Sequence, residues 1–272
     1  MQQVVEPEEA EMSSKNGRQL FVLKIGERQA PSVNHLYLDY KADKYVTSCM
    51  YFWCITDSNG PILVDHGFTA QTIARLNIND FKLESEPQEL LARIGVKPEE
   101  VKHVILTHLH WDHFVGETIF PNATYYVQKK EIEYVTGPLM RHECFRRFVD
   151  PEAAVKIVRL LFGGKVVILD GDCEIFPEIE TVLLGGHSPG SQGVVIRMNR
   201  QEYGICGDVV PRYRNLEQRI PCGINIDPRE ALAGMEKMEM KVESVDRLFP
   251  GHDPLLFEKY AGYAEGVCLI AE

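Results

Sequence analysis

The chain has 272 residues, 44% hydrophobic and 25% charged, with 21 Gly and 15 Pro spread along it. That size and composition predict one globular domain and exclude disorder, collagen and coiled coil as whole-chain descriptions. With 40 Asp+Glu against 29 Lys+Arg, the formal charge of -11 disfavours a phosphate backbone as partner.

In chain order, Met1 to Lys15 carries Glu6, Glu8, Glu9 and Glu11 and no apolar core, so no signal peptide is expected there. Residues 1–18 read as an acidic lead-in and 19–272 as a single domain. No run approaches the roughly 18 apolar residues of a membrane helix, so no membrane partner is expected. The 7 cysteines are scattered, odd in number and never in a CxxC pair, which predicts reduced thiols in a cytoplasmic protein.

Val46 to Thr56 is aromatic and β-branched, Ser58-Asn59-Gly60 is a turn, and Ile62-Leu63-Val64 runs into Asp65, the signature of a hairpin. Glu86 to Ile94 is amphipathic and stops at Gly95. Val101–Leu106 and Ala123–Gln128 read as strands. Lys129 to Phe162 is helical in pattern, an insertion broken at Gly137-Pro138 and at Asp150-Pro151, with Asp150 placed as an N-cap. Strands are expected at Lys165–Asp170, Cys173–Phe176, Glu180–Leu184, Val194–Met198 and Glu202–Cys206. A helix over Pro228 to Lys241, a strand at Asp246–Phe249 and a terminal helix after Pro254 complete an α/β layered pattern.

The informative segment is Thr107-His108-Leu109-His110-Trp111-Asp112-His113, where 3 of the 9 histidines fall within six residues. Two His at i and i+2 at a strand end project from one face, and a tight turn brings the following Asp and His round. Imidazole with carboxylate suits a borderline divalent metal, Zn²⁺ by default, with Fe, Mn and Co open. Further donors stand at later strand exits, each beside a glycine: His187 in Gly186-His187-Ser188-Pro189-Gly190, Asp208 in Gly207-Asp208, and His252 in Gly251-His252-Asp253. His35, His66 and His103 read as structural.

In this order of motifs the sequence resembles the metallo-β-lactamase superfamily over essentially all of residues 46–260. The resemblance implies a four-layer αββα sandwich with two metal ions at one edge of its sheets. It implies one site from His108, His110 and His187, a second from Asp112, His113 and His252, and Asp208 bridging both. Asp65 matches the strand-end Asp that orients the ligands, although His66 follows it where Thr is usual.

Asp208, where antibiotic-hydrolysing members usually place Cys, disfavours that activity, and His110, where flavin-linked diiron members have Glu, disfavours a redox role. Within the superfamily the chain is most similar to the N-acyl homoserine lactonases. Gly186–Gln192, Gly207-Asp208-Val209-Val210 with Tyr213 to Glu217, and Gly251-His252-Asp253 carry that similarity. It implies lactone opening by a metal-bridging hydroxide, with Asp112 carrying the proton to the leaving alkoxide, and hence a role in quorum quenching. Glyoxalase-II-like thioesterases share the ligand set and remain an alternative, as does a metal-bearing binding protein without activity. The family's substrate-binding Tyr three residues after the bridging Asp is Pro211 here, which leaves Tyr213 as the catalytic candidate. Tyr134, Met140, Phe145, Phe148, Leu160 and Phe162 are candidates to wall an acyl pocket, with Arg141, His142, Arg146 and Arg147 as carboxylate binders in the same stretch. The expected partner is a small-molecule lactone or ester; a homodimer is compatible with the sequence.

Overall fold

The computed structural model describes residues 17–39 and 44–272, so the acidic lead-in lies outside the described residues except for its last two. Arg18, expected in that lead-in, is tied to the body through Asp57 (3.3 Å) and Glu178 (3.2 Å).

Two long antiparallel strands, β1 (Gln19–Pro31) and β2 (Tyr45–Asp57), form the spine. Side chains alternate across a strand, and β2 is apolar on both faces. Its Tyr51, Trp53 and Ile55 enter one core cluster, while Met50, Phe52 and Cys54 enter another. The expected hairpin joins β2 to β3 (Gly60–Val64), with the Asn59 N–H donating to Asp57 Oδ1 at 2.7 Å.

After β3 come α1 (Ala70–Arg75), the short β4 (Phe81–Leu83) and α2 (Pro87–Ala92). Then β5 (His103–Ile105) and β6 (Thr124–Gln128) add parallel to β3. The helical insertion is built of α3 (Lys129–Val135), α4 (Glu143–Arg146) and α5 (Pro151–Phe162), before β7 (Val166–Leu169) pairs with β6. Asp150 caps α5 as expected, its carboxylate accepting the Glu152 N–H at 3.0 Å.

A second sheet follows: β8 (Cys173–Phe176), β9 (Ile179–Leu183), β10 (Gln192–Met198) and β11 (Gln201–Ile205). Beyond α6 (Tyr213–Gln218) and α7 (Pro228–Glu239), β12 (Leu248–Phe249) joins it parallel to β11. The expected terminal helix is only the short α8 (Leu255–Lys259). The chain then forms β13 (Gly262–Ala264) and β14 (Val267–Ala271), because Val267 and Cys268 are buried beside β1.

Three apolar clusters separate four layers. One packs helices against the outer face of the large sheet through Phe68, Leu90, Phe114 and Ile157. A second lies between the sheets through Trp53, Val64, Ile196 and Phe249. A third packs α7 on the small sheet through Val195, Met235 and Met238. This is the expected αββα sandwich.

Candidate metal centre

Strands β3, β5, β9, β11 and β12 end at the same edge, and each delivers a polar residue there. Asp65 leaves β3 with φ of +61°, a left-handed conformation that costs a non-glycine residue energy. Its carboxylate accepts the Thr107 N–H at 2.7 Å and the His113 Nδ1–H at 2.7 Å, tying β3 to the His-rich loop after β5. That loop turns because Glu131 on α3 accepts the Leu109 N–H at 3.0 Å. The same carboxylate accepts the Ser188 hydroxyl at 2.6 Å and the Gly190 N–H at 3.0 Å, which clamps the loop after β9 against it. The approach is close enough that a Cβ on Gly190 would stand 2.3 Å from the Glu131 nitrogen.

Seven donors converge as two groups: His108, His110 and His187, and Asp112, His113, Asp208 and His252. His187 Nε2 lies 2.9 Å from His110 Nδ1 and 3.2 Å from His108 Nε2. The Nδ1–H of His187 donates to the Ile224 carbonyl at 2.6 Å, so its Nε2 presents a lone pair to the other two nitrogens. His252 is fixed in the same way, donating Nδ1–H to the Cys49 carbonyl at 2.9 Å. Asp208 stands between the groups: 2.8 Å from His252 and 3.3 Å from His113, 3.6 Å from His187 and 4.0 Å from His108. The remaining carboxylate, Asp112, is 3.6 Å from His252 Nε2 and 3.7 Å from His113 Nε2.

Lone pairs facing lone pairs repel, and a cation between them removes the repulsion. In the second group His113 Nε2 and Asp208 Oδ1 are also buried without hydrogen-bond partners among the described residues. The donor set therefore fits divalent ions of the N/O-binding type. Burial, then neighbouring imidazoles, holds His108 and His110 well below the ordinary histidine range, and burial lowers His187. Burial acts the same way on His113 and His252, but the carboxylates, led by Asp208, outweigh it and raise both.

The sequence model of the Metallo-beta-lactamase superfamily matches residues 42–252. The chain belongs to that superfamily. Among curated members it is 27% identical to the N-acyl homoserine lactonase of Bacillus cereus, over 74% of this chain and 80% of the relative. It is 27% identical to N-acyl homoserine lactonase AttM of Rhizobium radiobacter, over 59% of this chain and 61% of the relative. Among solved structures, an N-acyl homoserine lactone hydrolase with N-hexanoyl-L-homoserine at its catalytic metal centre aligns with TM-score 0.71. That pair is 21% identical over 89% of this chain and 96% of the other. AidC, a dizinc quorum-quenching lactonase, aligns with TM-score 0.68 at 18% identity, over 95% of this chain and 96% of AidC. At these identities the structural likeness speaks for the fold.

The superfamily site opens into a cleft of about 300 Å³ lined by His110, Asp112, His187, Asp208 and His252. Tyr213 is not brought to it. Its ring is buried in the cluster between the sheets with Phe249 and Leu256, and its hydroxyl has no partner among the described residues. The cause is the turn after Asp208: the Gly251 N–H donates to the Val210 carbonyl and the His252 N–H to Pro211. These bonds place Pro211 on the cleft and begin α6 behind it.

Of the insertion's expected pocket residues, Phe148 and Arg147 line the cleft, and Met140 and Arg146 line an adjoining apolar hollow. Tyr134 is core, Phe145 packs against it, Leu160 faces a different hollow, and Phe162 is 89% exposed. His142 is exposed against Arg141. His66 is buried among Phe114, Phe120 and Tyr125, as a structural residue would be. Glu131 was not foreseen, since a lone Glu on a helix carries no sequence signal for three buried bonds.

Proposed function

We propose that this superfamily hydrolase opens a lactone ring using two divalent ions, with Zn²⁺ the first choice. The observation that carries the reading is Asp208, one carboxylate within 4.0 Å of imidazoles from both donor groups. His108, His110 and His187 would hold one ion, Asp112, His113 and His252 the other, and Asp208 both. When bound, such a pair supplies an activated water as nucleophile and a Lewis acid for the ester carbonyl.

The chain's own residues do the rest. Asp65 and the Ile224 and Cys49 carbonyls fix the tautomers of His113, His187 and His252, so that each presents Nε2 to the site. Asp112 lines the cleft, and its carboxylate would take the proton of the nucleophile and return it to the departing alkoxide oxygen. Asn34, Asn77 and Arg147 give the cleft polar walls for the ester and its polar substituent. Ile78, Trp111 and Arg147 are shared with the apolar hollow of about 470 Å³, which suits an acyl chain or ring attached to the lactone.

Relatives named as N-acyl homoserine lactonases support acyl homoserine lactones as the first substrates to try, and with them a quorum-quenching role. All seven cysteines are free, which supports a reducing compartment such as the cytoplasm. Among the described residues no helix is long and apolar enough to cross a membrane.

The test is a pH-indicator screen of purified, metal-analysed protein across acyl homoserine lactones, aliphatic and aromatic lactones, and glutathione thioesters. Lactone turnover with about two ions per chain is expected. Thioester cleavage alone would transfer the assignment to a glyoxalase-II-like thioesterase. Bound metal without turnover of any substrate would make the chain a binding protein.

A further inference from the structure

His35 is a polar side chain of the cleft with no task in the reaction above. His35 follows the short turn Ser32–Asn34, is 5% exposed and lines the cleft. Its ring meets that of His252 edge-on, with centroids 5.8 Å apart. Its Nε2 is buried and finds no hydrogen-bond partner among the described residues. An unpaired buried nitrogen of this kind costs roughly 1–3 kcal/mol.

The position is held firmly from several sides. The His35 N–H donates to the Ser32 carbonyl at 2.9 Å, and its own carbonyl accepts Asn215 Nδ2–H at 2.8 Å. Asn215 is fully buried at the start of α6 and also donates to the Ile220 carbonyl at 2.9 Å. The loop lies flat on residues 221–224. The Tyr37 N–H donates to Pro221 and the Ile224 N–H to Asn34, each at 3.0 Å. Gly223 permits this approach, since a Cβ there would stand 1.7 Å from the Val33 carbonyl oxygen. The same stretch supplies the Ile224 carbonyl that orients His187. His35 and a metal-site histidine are thus registered by one segment, an arrangement that aims a group rather than merely filling space.

We propose that His35 is a substrate-contacting residue that donates a ring N–H to the carbonyl oxygen of the ester as that oxygen gains negative charge. This is the task expected of Tyr213, moved from the turn after the bridging Asp to the loop after β1. The proposal rests on the ester-opening reading of the site. A donor already oriented at the reacting carbonyl stabilises a developing oxyanion without reorganisation.

The experiment uses metal-loaded full-length protein, with His35→Leu to delete the donor and His35→Gln to keep one. Steady-state kinetics are taken on the lactone that wild type cleaves fastest. Metal content is measured on each variant, and the imidazole ¹⁵N resonances of His35 are followed as the ring-opened hydroxy acid is added. His35→Leu should lower kcat by roughly 10- to 100-fold with KM and metal content near wild type. His35→Gln should retain more of the rate, and a ring ¹⁵N resonance of His35 should move with added hydroxy acid.

Wild-type kcat in His35→Leu would overturn the proposal, as would a resonance unmoved by saturating hydroxy acid. Metal loss in parallel with rate in both variants would also overturn it, making His35 a mere support for His252. Failure of the lactone reading shows separately, as a wild type inactive on every lactone. The His35 comparison then runs on whichever other ester or thioester the wild type cleaves.

Discussion

The two halves of the metal centre are built by different physics. His108, His110 and His187 form a neutral nitrogen cage, held low in pKa first by burial and, for His108 and His110, by neighbouring imidazoles. Asp112, His113, Asp208 and His252 form an anionic group in which carboxylates lift the pKa of the two imidazoles. The scaffolds differ as well. The cage is clamped by Glu131, which ties the His110 and His187 loops together. The anionic group hangs on Asp65 and the Cys49 carbonyl, both from strands at the centre of the large sheet. One half therefore offers an ion nitrogen and shape, the other charge, and only Asp208 belongs to both.

Asp208→Asn strikes the shared member and should have the largest effect. The rate should fall by at least roughly 100-fold and metal content should drop below two ions per chain. Unchanged stoichiometry and rate would show that the halves do not share this carboxylate. Single deletions divide the halves: His187→Ala should empty mainly the cage, His252→Ala mainly the anionic group, each read by metal analysis. A variant with one ion and full activity would show that one half suffices for the chemistry.

Acid should separate the halves next. In the ion-free protein His113 and His252 hold protons above the ordinary imidazole range, so an ion bound there must displace protons already near neutral pH. The cage histidines, shifted downward, give up no protons to a metal until the solution is more acidic. Metal affinity of the anionic group therefore falls first as pH falls, by about tenfold per unit for each proton displaced. Dialysis over a series of falling pH values should release the ions in two steps, and simultaneous release would remove the distinction. Glu131→Gln probes the cage alone. An amide cannot accept all three bonds, so a loss of about 1–2 kcal/mol in denaturant unfolding is expected. Metal should weaken at the cage and hold at the anionic group; equal weakening would show one cooperative unit.

The legible parts of this protein were those with local signals. His108-x-His110-x-Asp112-His113, and the glycine-flanked His187, Asp208 and His252, each mark a strand exit, and the structure gathers all seven at one edge. The β2–β3 hairpin and the α5 cap were readable because Asn-Gly and Asp-Pro act within a few residues. The hairpin of β13 and β14 was not, since its pairing with β1 joins residues some 250 apart in sequence. Glu131 was missed for the same reason: its meaning lies in partners brought by other loops, at a position where the local pattern reads as an ordinary helix.

Tyr213 was misplaced because its spacing from Asp208 was read without the straps from Gly251 and His252. Its backbone N–H donates to Asp253 Oδ2 at 3.0 Å, and the Lys259 ammonium lies 3.7 Å above its ring. Those contacts make it a brace under the anionic half, with its hydroxyl turned into the core. Tyr213→Phe removes a buried hydroxyl that has no partner among the described residues and leaves the ring in place. Deleting such a group is close to neutral, within about 1 kcal/mol of stability. The rate should stay within about twofold of wild type, against the 10-fold or greater loss expected of an oxyanion donor. Kinetics and thermal unfolding of the one variant decide it. A 10-fold fall in kcat with intact metal would return Tyr213 to the chemistry and require the turn after Asp208 to open during catalysis.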